Sequence, residues 1–367
     1  MRARSNPLRP PDYRGGGLVN LVAELERRLT ENSVSPSLDD DLATAIPEGS
    51  SYVLVLFDGL GDGQLAHPAA ARLREDRVGA IDAPFPSTTT VSLATVATGL
   101  SPRQHGLAAY QLWLEEIDTV VNTIKWTTLW GDPVEVDLDG FLPRPNLWER
   151  LVAANVEPVT VQPAGFEGSP LTSVLYRGCR FEGWTHEREI APMAAELAEP
   201  AGRLVFVYLP HVDFAAHVVG QGDPSYTDAL RLVAGVWDEL VRRLPDDAVV
   251  VGTSDHGHLD VAPPDRAVLD RSDETDRILY GDPRAVFVRG EPLPDHLPGT
   301  WRSREELDGW WGPGPAHPRF EARAPDGIVF ADDARSILHR HSDARLIGQH
   351  GGVTDAELRI PLLVGGR

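Results

Sequence analysis

The sequence predicts an α/β protein: a mostly parallel central sheet flanked by helices, with a small inserted subdomain. Three observations predict it. Tyr52–Phe57 (YVLVLF), Leu204–Leu209 (LVFVYL) and Ala248–Gly252 (AVVVG) are short, unbroken apolar runs of the kind found in strands buried on both faces. Segments of helical periodicity separate them, and strands alternating with helices build parallel sheets. The chain has 367 residues, 42% of them hydrophobic, enough for a large layered core and too apolar for disorder.

In chain order, Gly16 to Thr30 reads as an amphipathic helix with Leu18, Leu21, Val22, Leu25 and Leu29 on one stripe. A polar stretch, Glu31 to Asp41, leads into the first strand. Asn146–Ala154 and Tyr226–Arg243 follow as helices, the second with Leu230, Val233, Val236, Trp237 and Leu240 at helical spacing. Ile360–Val364 is a fourth apolar run. From about Pro263 to Ser342 the rhythm breaks into Pro, Gly, Trp and charge. The expected organisation is therefore an N-terminal helical segment (1–45), an α/β core (46–262 and 343–367) and an inserted cap-like subdomain (263–342).

Composition excludes several functions. With 34 basic and 55 acidic side chains the net charge is −21 and no basic cluster exists, which argues against a nucleic-acid polymer as partner. Apolar runs end after about eight residues against the roughly 20 a membrane helix needs, so no membrane partner is expected. Met1 to Gly17 lacks the apolar stretch of a secretory signal, and the expected location is cytoplasmic. The single cysteine, Cys179, rules out an internal disulfide framework and cysteine-cluster metal sites, and is expected as a buried small hydrophobe.

Ligands of open α/β sheets bind beyond the carboxyl ends of the strands. Here the first strand runs into Asp58 (FDGLGDG), the second reaches Asp213 (PHVDFAAH), the third reaches Asp255 and His256 (TSDHGH), and the last is preceded by His350 (GQHGG). Five potential metal ligands thus fall at one rim. Asp213 and His217, at i and i+4, share a face if their segment is helical. Each piece has a plainer reading: Asp58-Gly59 is also a turn pair, and His217 taken by itself could be a hydrogen-bonded structural histidine. Adjacent carboxylate and imidazole at the buried end of a strand are harder to explain without charge compensation. His258 and Asp260 suit a supporting or surface role better than ligation. In Phe85–Leu100 (FPSTTTVSLATVATGL), Ser87 or Thr88 caps a helix ended by Gly99, which puts hydroxyls where a phosphoryl oxygen is favoured by N–H groups and the helix dipole.

Together, VLVLFDGLGDG, FPSTTTVSLATVATGLSPRQHG, YLPHVDFAAHVVG, SDHG, and GQHGG with IPLLVGG resemble, in order, the nucleotide pyrophosphatase/phosphodiesterase branch of the alkaline phosphatase superfamily. The resemblance spans Tyr52 to Gly366 and implies an alkaline-phosphatase-like core with two divalent ions, usually zinc. Asp213, His217 and His350 would hold one ion; Asp58, Asp255, His256 and the nucleophile would hold the other. In the family the nucleophile lies nine residues before the Thr of Thr-Gly-Leu, and counting back from Thr98 reaches Thr89, flanked by Thr88 and Thr90. Where the family often has a phosphoryl-binding Asn three residues on, this chain has Ser92, the candidate substrate contact.

What the resemblance implies is hydrolysis of a phosphodiester or pyrophosphate bond in a small phosphoester or nucleotide, through a covalent phosphothreonine. The alternative is a phosphomonoesterase or phosphonate hydrolase of the same superfamily. Two divalent ions bring about +4 against about −3 from the three aspartates, so an acidic chain would still attract phosphate there. A sulfatase is disfavoured because no Cys or Ser stands in a CxPxR-type context, and a mutase because no larger inserted domain is evident. A catalytically silent binding protein is disfavoured because every ligand position is retained. A monoesterase needs extra positive charge, normally a nearby Arg or a third cation; the strand-end motifs hold no Arg, although Arg284, from the inserted region, could fold over the site.

Overall fold

The structure is a computed structural model that describes residues 8–366. Its centre is a seven-stranded sheet built from β1 (Ser51–Phe57), β2 (Arg77–Asp82), β3 (Glu157–Pro163), β4 (Arg180–Trp184), β5 (Arg203–Leu209), β6 (Ala248–Thr253) and β7 (Arg359–Val364). The spatial order is β2-β7-β6-β1-β5-β3-β4. Pairings among β6, β1, β5, β3 and β4 are parallel, while β7 runs antiparallel to both neighbours. The reversed strand matters for the site. A residue preceding β7 reaches the same rim as residues following β1, β5 and β6.

Alternation along β1 builds a core on each face of the sheet. Tyr52, Leu54 and Leu56 point into one hydrophobic cluster, Val53, Val55 and Phe57 into the other. The first face is covered by α1 (Leu18–Thr30), α2 (Thr89–Thr98) and α3 (Leu147–Ala153), the second by α4 (His211–Val219) and α5 (Pro224–Arg243). The apolar stripes explain the choice of face: Leu18, Leu21, Val22 and Leu25 of α1 are buried, as are Leu230, Val233, Trp237 and Leu240 of α5. Full burial of one such side chain is worth about 1.5–3 kcal/mol. Asn146 caps α3 by accepting from the Glu149 N–H, and Gly99 ends α2 in the left-handed conformation.

Residues 263–342 contain a four-stranded antiparallel sheet, in the order Ile278–Asp282, Ala285–Arg289, Gly327–Ala331, Gly299–Ser303. One face carries Tyr280, Phe287 and Phe330 into the same core that receives α1 and α2. Phe85, at the start of the Ser/Thr loop, packs among Phe287, Trp310, Trp311 and Phe330, so this second sheet supports the loop leading to Thr89. Cys179 is only half-buried, because it falls in the turn before β4 rather than on a core element. Among the described residues no helix is long and apolar enough to cross a membrane.

Candidate metal and phosphoryl site

β1 ends at Phe57, and Asp58 continues its ladder by donating its N–H to the Leu209 carbonyl. The chain then turns at Gly59, whose φ of +75° is a left-handed conformation that costs a residue with a Cβ. A Cβ there would also meet Asp213 Cα at 2.7 Å, so the β1 turn can touch the first turn of α4 only through glycine. Gly257 serves the same purpose after β6, since its Cβ would fall 2.1 Å from the Ala356 carbonyl oxygen. Ser254 pins the two strand ends together, its Oγ hydrogen-bonding to the Phe57 carbonyl and accepting from the Leu60 N–H.

Two groups of side chains result. Asp58, Asp255 and His256 form one and Asp213, His217 and His350 the other; within each, one donor atom per residue lies within 4.8 Å of the rest. His256 Nε2 is 3.5 Å from Asp58 Oδ1 and 3.4 Å from Asp255 Oδ2. His217 Nε2 is 3.3 Å from Asp213 Oδ2, and His350 Nε2 is 3.9 Å from Asp213 Oδ1. The groups adjoin, with the His256 and His350 rings stacked at 3.7 Å between centroids.

The three histidines share one arrangement. Nδ1 of His256 faces the Gly257 carbonyl, Nδ1 of His217 the Gly348 carbonyl and Nδ1 of His350 the Ser87 carbonyl. A carbonyl fixes the proton on Nδ1 and leaves the Nε2 lone pair aimed at the carboxylates, the orientation a metal-binding imidazole requires. The carboxylates are left hungry for positive charge. Asp58 Oδ1, Asp213 Oδ1 and Asp255 Oδ2 are buried without a hydrogen-bond partner, and among the described residues no Lys or Arg forms an ion pair with any of the three. Burial and the charges of Asp255 and Asp213 hold the Asp58 carboxyl well above the usual range; burial and its histidine neighbours hold His350 well below its own. Unpaired carboxylates at this depth are costly, and the O/N donor sets suit divalent cations.

Thr88 is the N-cap of α2 and Thr89 its first residue. Of the three consecutive threonines, Thr90 bonds to Thr123 Oγ1 and Thr88 to Asp282, while Thr89 Oγ1 lies 3.2 Å from His256 Nε2. Ser92, one turn further on, is fully buried and donates to the Asp255 carbonyl, outside both donor groups. His258 is buried too, its Nδ1 facing the Gly59 carbonyl, and Asp260 accepts from the Gln221 N–H. Arg284 does not fold over the site. It is 1% exposed and paired with Glu357, because a guanidinium carried on the second sheet meets that buried carboxylate before it can reach the rim.

Thr89 opens onto two cavities. One, of about 350 Å³, is walled by Leu93, Phe166, Leu171, Tyr176 and Tyr208, with Lys125 at its edge. The other, of about 280 Å³, includes Asp213, His217 and His350 with Tyr110, Gln111 and Asp282. Tyr208 links cavity and donors by hydrogen-bonding to Asp58 Oδ2. Sequence reasoning missed Tyr208, Lys125, Gln111 and Asp282. Lys125 alone carried a signal, as the only lysine among 34 basic residues.

A mostly parallel sheet with two Asp/His groups at its rim, and a helix N-terminal hydroxyl against one of them, is an arrangement suited to a metal-dependent hydrolase. The family model "Type I phosphodiesterase / nucleotide pyrophosphatase" matches residues 52–291, and the chain belongs to that metal-dependent hydrolase family. The match includes every candidate ligand except His350. Among solved structures the chain is similar to murine ectonucleotide pyrophosphatase/phosphodiesterase 5, at 18% identity and a TM-score of 0.66, over 86% of this chain and 88% of that one. The human protein of that name gives 16% and 0.64 over 86% and 87%. Phosphonoacetate hydrolase from Sinorhizobium meliloti 1021, in complex with phosphonoacetate, gives 15% and 0.62 over 87% and 91%. At these identities the likeness is one of fold. No curated protein matches.

Proposed function

We propose that this chain hydrolyses phosphodiester or pyrophosphate bonds with Thr89 as nucleophile and two zinc ions as cofactors. Asp213, His217 and His350 would hold one ion; Asp58, Asp255, His256 and Thr89 the other. The observation that carries the reading is the position of Thr89 Oγ1, 3.2 Å from His256 Nε2 in one donor group and lining both cavities, one of which the other donor group also lines.

Bound divalent ions supply Lewis acidity, which lowers the pKa of a coordinated hydroxyl and neutralises charge on a departing oxygen. The chain's own residues do the rest. The first turn of α2 presents N–H groups and the positive end of its dipole to phosphoryl oxygens. Thr89 Oγ1, once deprotonated, attacks phosphorus in line, one ester oxygen leaves with its electron pair, and water later cleaves the phosphothreonine. The backbone carbonyls of Gly257, Gly348 and Ser87 keep the three imidazoles oriented throughout.

Two cavities flanking one nucleophile suit a phosphorus bearing two substituents. The guanidinium of Arg284, which a monoesterase would need nearby, is committed to Glu357. One similar structure is an inactive variant of the murine protein in complex with AMP, which fits a small phosphoester as ligand. Comparing kcat/KM for bis-p-nitrophenyl phosphate and p-nitrophenyl phosphate tests the reading. The diester is expected to be preferred; a strong preference for the monoester would move the chain to the phosphomonoesterase reading.

A further inference from the structure

We propose that the cavity beside Asp213, His217 and His350 receives an uncharged, hydroxyl-rich leaving alcohol, so that the substrate is a phosphodiester of a polyol or sugar rather than a nucleotide pyrophosphate. This rests on the reading of Thr89 as nucleophile. Attacking and leaving oxygens lie roughly in line in a phosphoryl transfer. Thr89 Oγ1 sits against His256, in the group with Asp58 and Asp255, so the leaving oxygen lies toward the other group. That group lines the cavity of about 280 Å³.

The rest of the lining states what the cavity accepts. Gln111, Asp282 and Gln349 are 6%, 4% and 3% exposed, and Gln111 Oε1, Asp282 Oδ2 and Gln349 Oε1 have no hydrogen-bond partner. Buried oxygens left unpaired are costly, and several around one cavity mark a place for ligand donors. Donor capacity is present as well, since the Tyr110 hydroxyl accepts from Asn122 Nδ2 and keeps its own proton to give. Hydroxyl groups answer both needs because each donates and accepts. If either amide were turned over, an unpaired N–H would replace the oxygen, and a hydroxyl would satisfy that too.

Charge favours an uncharged leaving group over a pyrophosphate. No Lys or Arg lines this cavity, and Asp343 on its wall is already paired with Arg345, so nothing beyond the donor group offers an anion a countercharge. Lys125 stands at the edge of the opposite, apolar cavity, which suits the retained substituent. In the reaction the Thr89 hydroxyl gives its proton to solvent and the Oγ1–P bond forms as the P–O bond to the polyol breaks. The polyol oxygen leaves with the electron pair and takes a proton from water. A second water then restores Thr89 and frees the other substituent as its monophosphate.

The test uses purified holoenzyme and four hexyl substrates: the phosphodiesters of glycerol, propan-1-ol and ethanolamine, and hexyl diphosphate. The glycerol diester should exceed the propyl diester in kcat/KM by about tenfold, the worth of about 1.4 kcal/mol, and exceed the other two as well. In Thr89→Ala, calorimetric binding should show the same preference for the glycerol over the propyl diester. Gln111→Leu should bring the glycerol-to-propyl ratio close to one, and Ser342→Ala, at a less buried lining position, should lower it if Gln111→Leu does not fold. Equal rates for the glycerol and propyl diesters overturn the proposal, as does a best rate with hexyl diphosphate or the ethanolamine diester. If bis-p-nitrophenyl phosphate is still hydrolysed in a Thr89-dependent way, only this proposal has failed; if it is not hydrolysed at all, the reading beneath it fails too.

Discussion

The Asp213 N–H donates to the Asp58 carbonyl at 3.0 Å, joining the end of β1 to the first turn of α4 and thereby one donor group to the other. Gly59 permits that approach. Gly59→Ala places a Cβ 2.7 Å from Asp213 Cα and forces a left-handed φ on alanine, which alone costs about 1–2 kcal/mol. The variant should melt lower, bind less metal and lose most activity, because relieving the clash moves Asp213 away from Asp58. Metal analysis beside thermal melts checks this; unchanged metal content and rate would show the contact to be dispensable.

Metal removal follows from the orphaned carboxylate oxygens. Purified protein should hold close to two divalent ions per chain, and a chelator should abolish activity and lower the melting temperature together. His350→Ala should lose one ion more readily than the other, since His350 belongs only to the group with Asp213 and His217. Full activity after exhaustive chelation would be inconsistent with the proposed chemistry.

Arg284 and Glu357 form a buried pair that holds the loop following His350, for Glu357 Oε1 also accepts the Gly352 N–H at 2.9 Å. Removing one partner of such a pair costs about 3–5 kcal/mol, because the other charge stays buried and uncompensated. Arg284→Met should therefore destabilise by that order in denaturant melts while leaving the diester-to-monoester rate ratio near its original value. A large change in that ratio would put Arg284 back at the substrate.

Asp282 gives a pH signature. Burial, with a smaller contribution from the Glu357 charge, pushes its carboxyl up to about 8. A carboxyl whose folded pKa exceeds its unfolded value binds its proton more tightly when folded. Its contribution to stability is therefore full below about pH 4 and is lost as pH rises through about 8. Asp282→Asn, which cannot ionise, should show a flatter loss of stability between pH 5 and pH 9 than the wild type (roughly that window, by the same linkage). Parallel slopes would mean Asp282 stays ionised in the folded protein.

The legibility of the sequence divides along physical lines. β1, β5, β6 and β7 were readable because a strand buried on both faces is a local apolar run, and Asp58, Asp255 and His256 were readable because they directly follow such runs. The helical placement of Asp213 and His217 needed only their spacing, which α4 satisfies. The cavity walls were not readable. Tyr208 lies inside a strand that reads as core, Gln111 and Asp282 come from separate small sheets, and only folding brings them to one rim. Arg284 misled for the same reason, because its partner Glu357 is 73 residues away in sequence.

Thr89 allows the sharpest test, since a covalent mechanism demands one oxygen and its neighbours have other bonds to make. Thr89→Ala should reduce turnover of bis-p-nitrophenyl phosphate by about a thousandfold or more while leaving the fold intact, because among the described residues its hydroxyl is bonded to no partner other than His256. Thr89→Ser keeps the oxygen and loses only the methyl group that restricts χ1, so it should retain measurable activity. Thr90→Ala removes the acceptor for Thr123, yet the Thr123 hydroxyl still has the Tyr110 carbonyl at 2.8 Å. Its cost should be about 1 kcal/mol of stability and little rate. The Thr88 side chain makes no capping bond, so Thr88→Ala removes only the hydrogen bond to Asp282, for about 0.5–1.5 kcal/mol. Rates and melts for the four variants separate chemistry from folding. A fully active Thr89→Ala beside an inactive but folded Thr88→Ala or Thr90→Ala would move the nucleophile to the neighbouring hydroxyl, and activity in all three alanine variants would remove the covalent step.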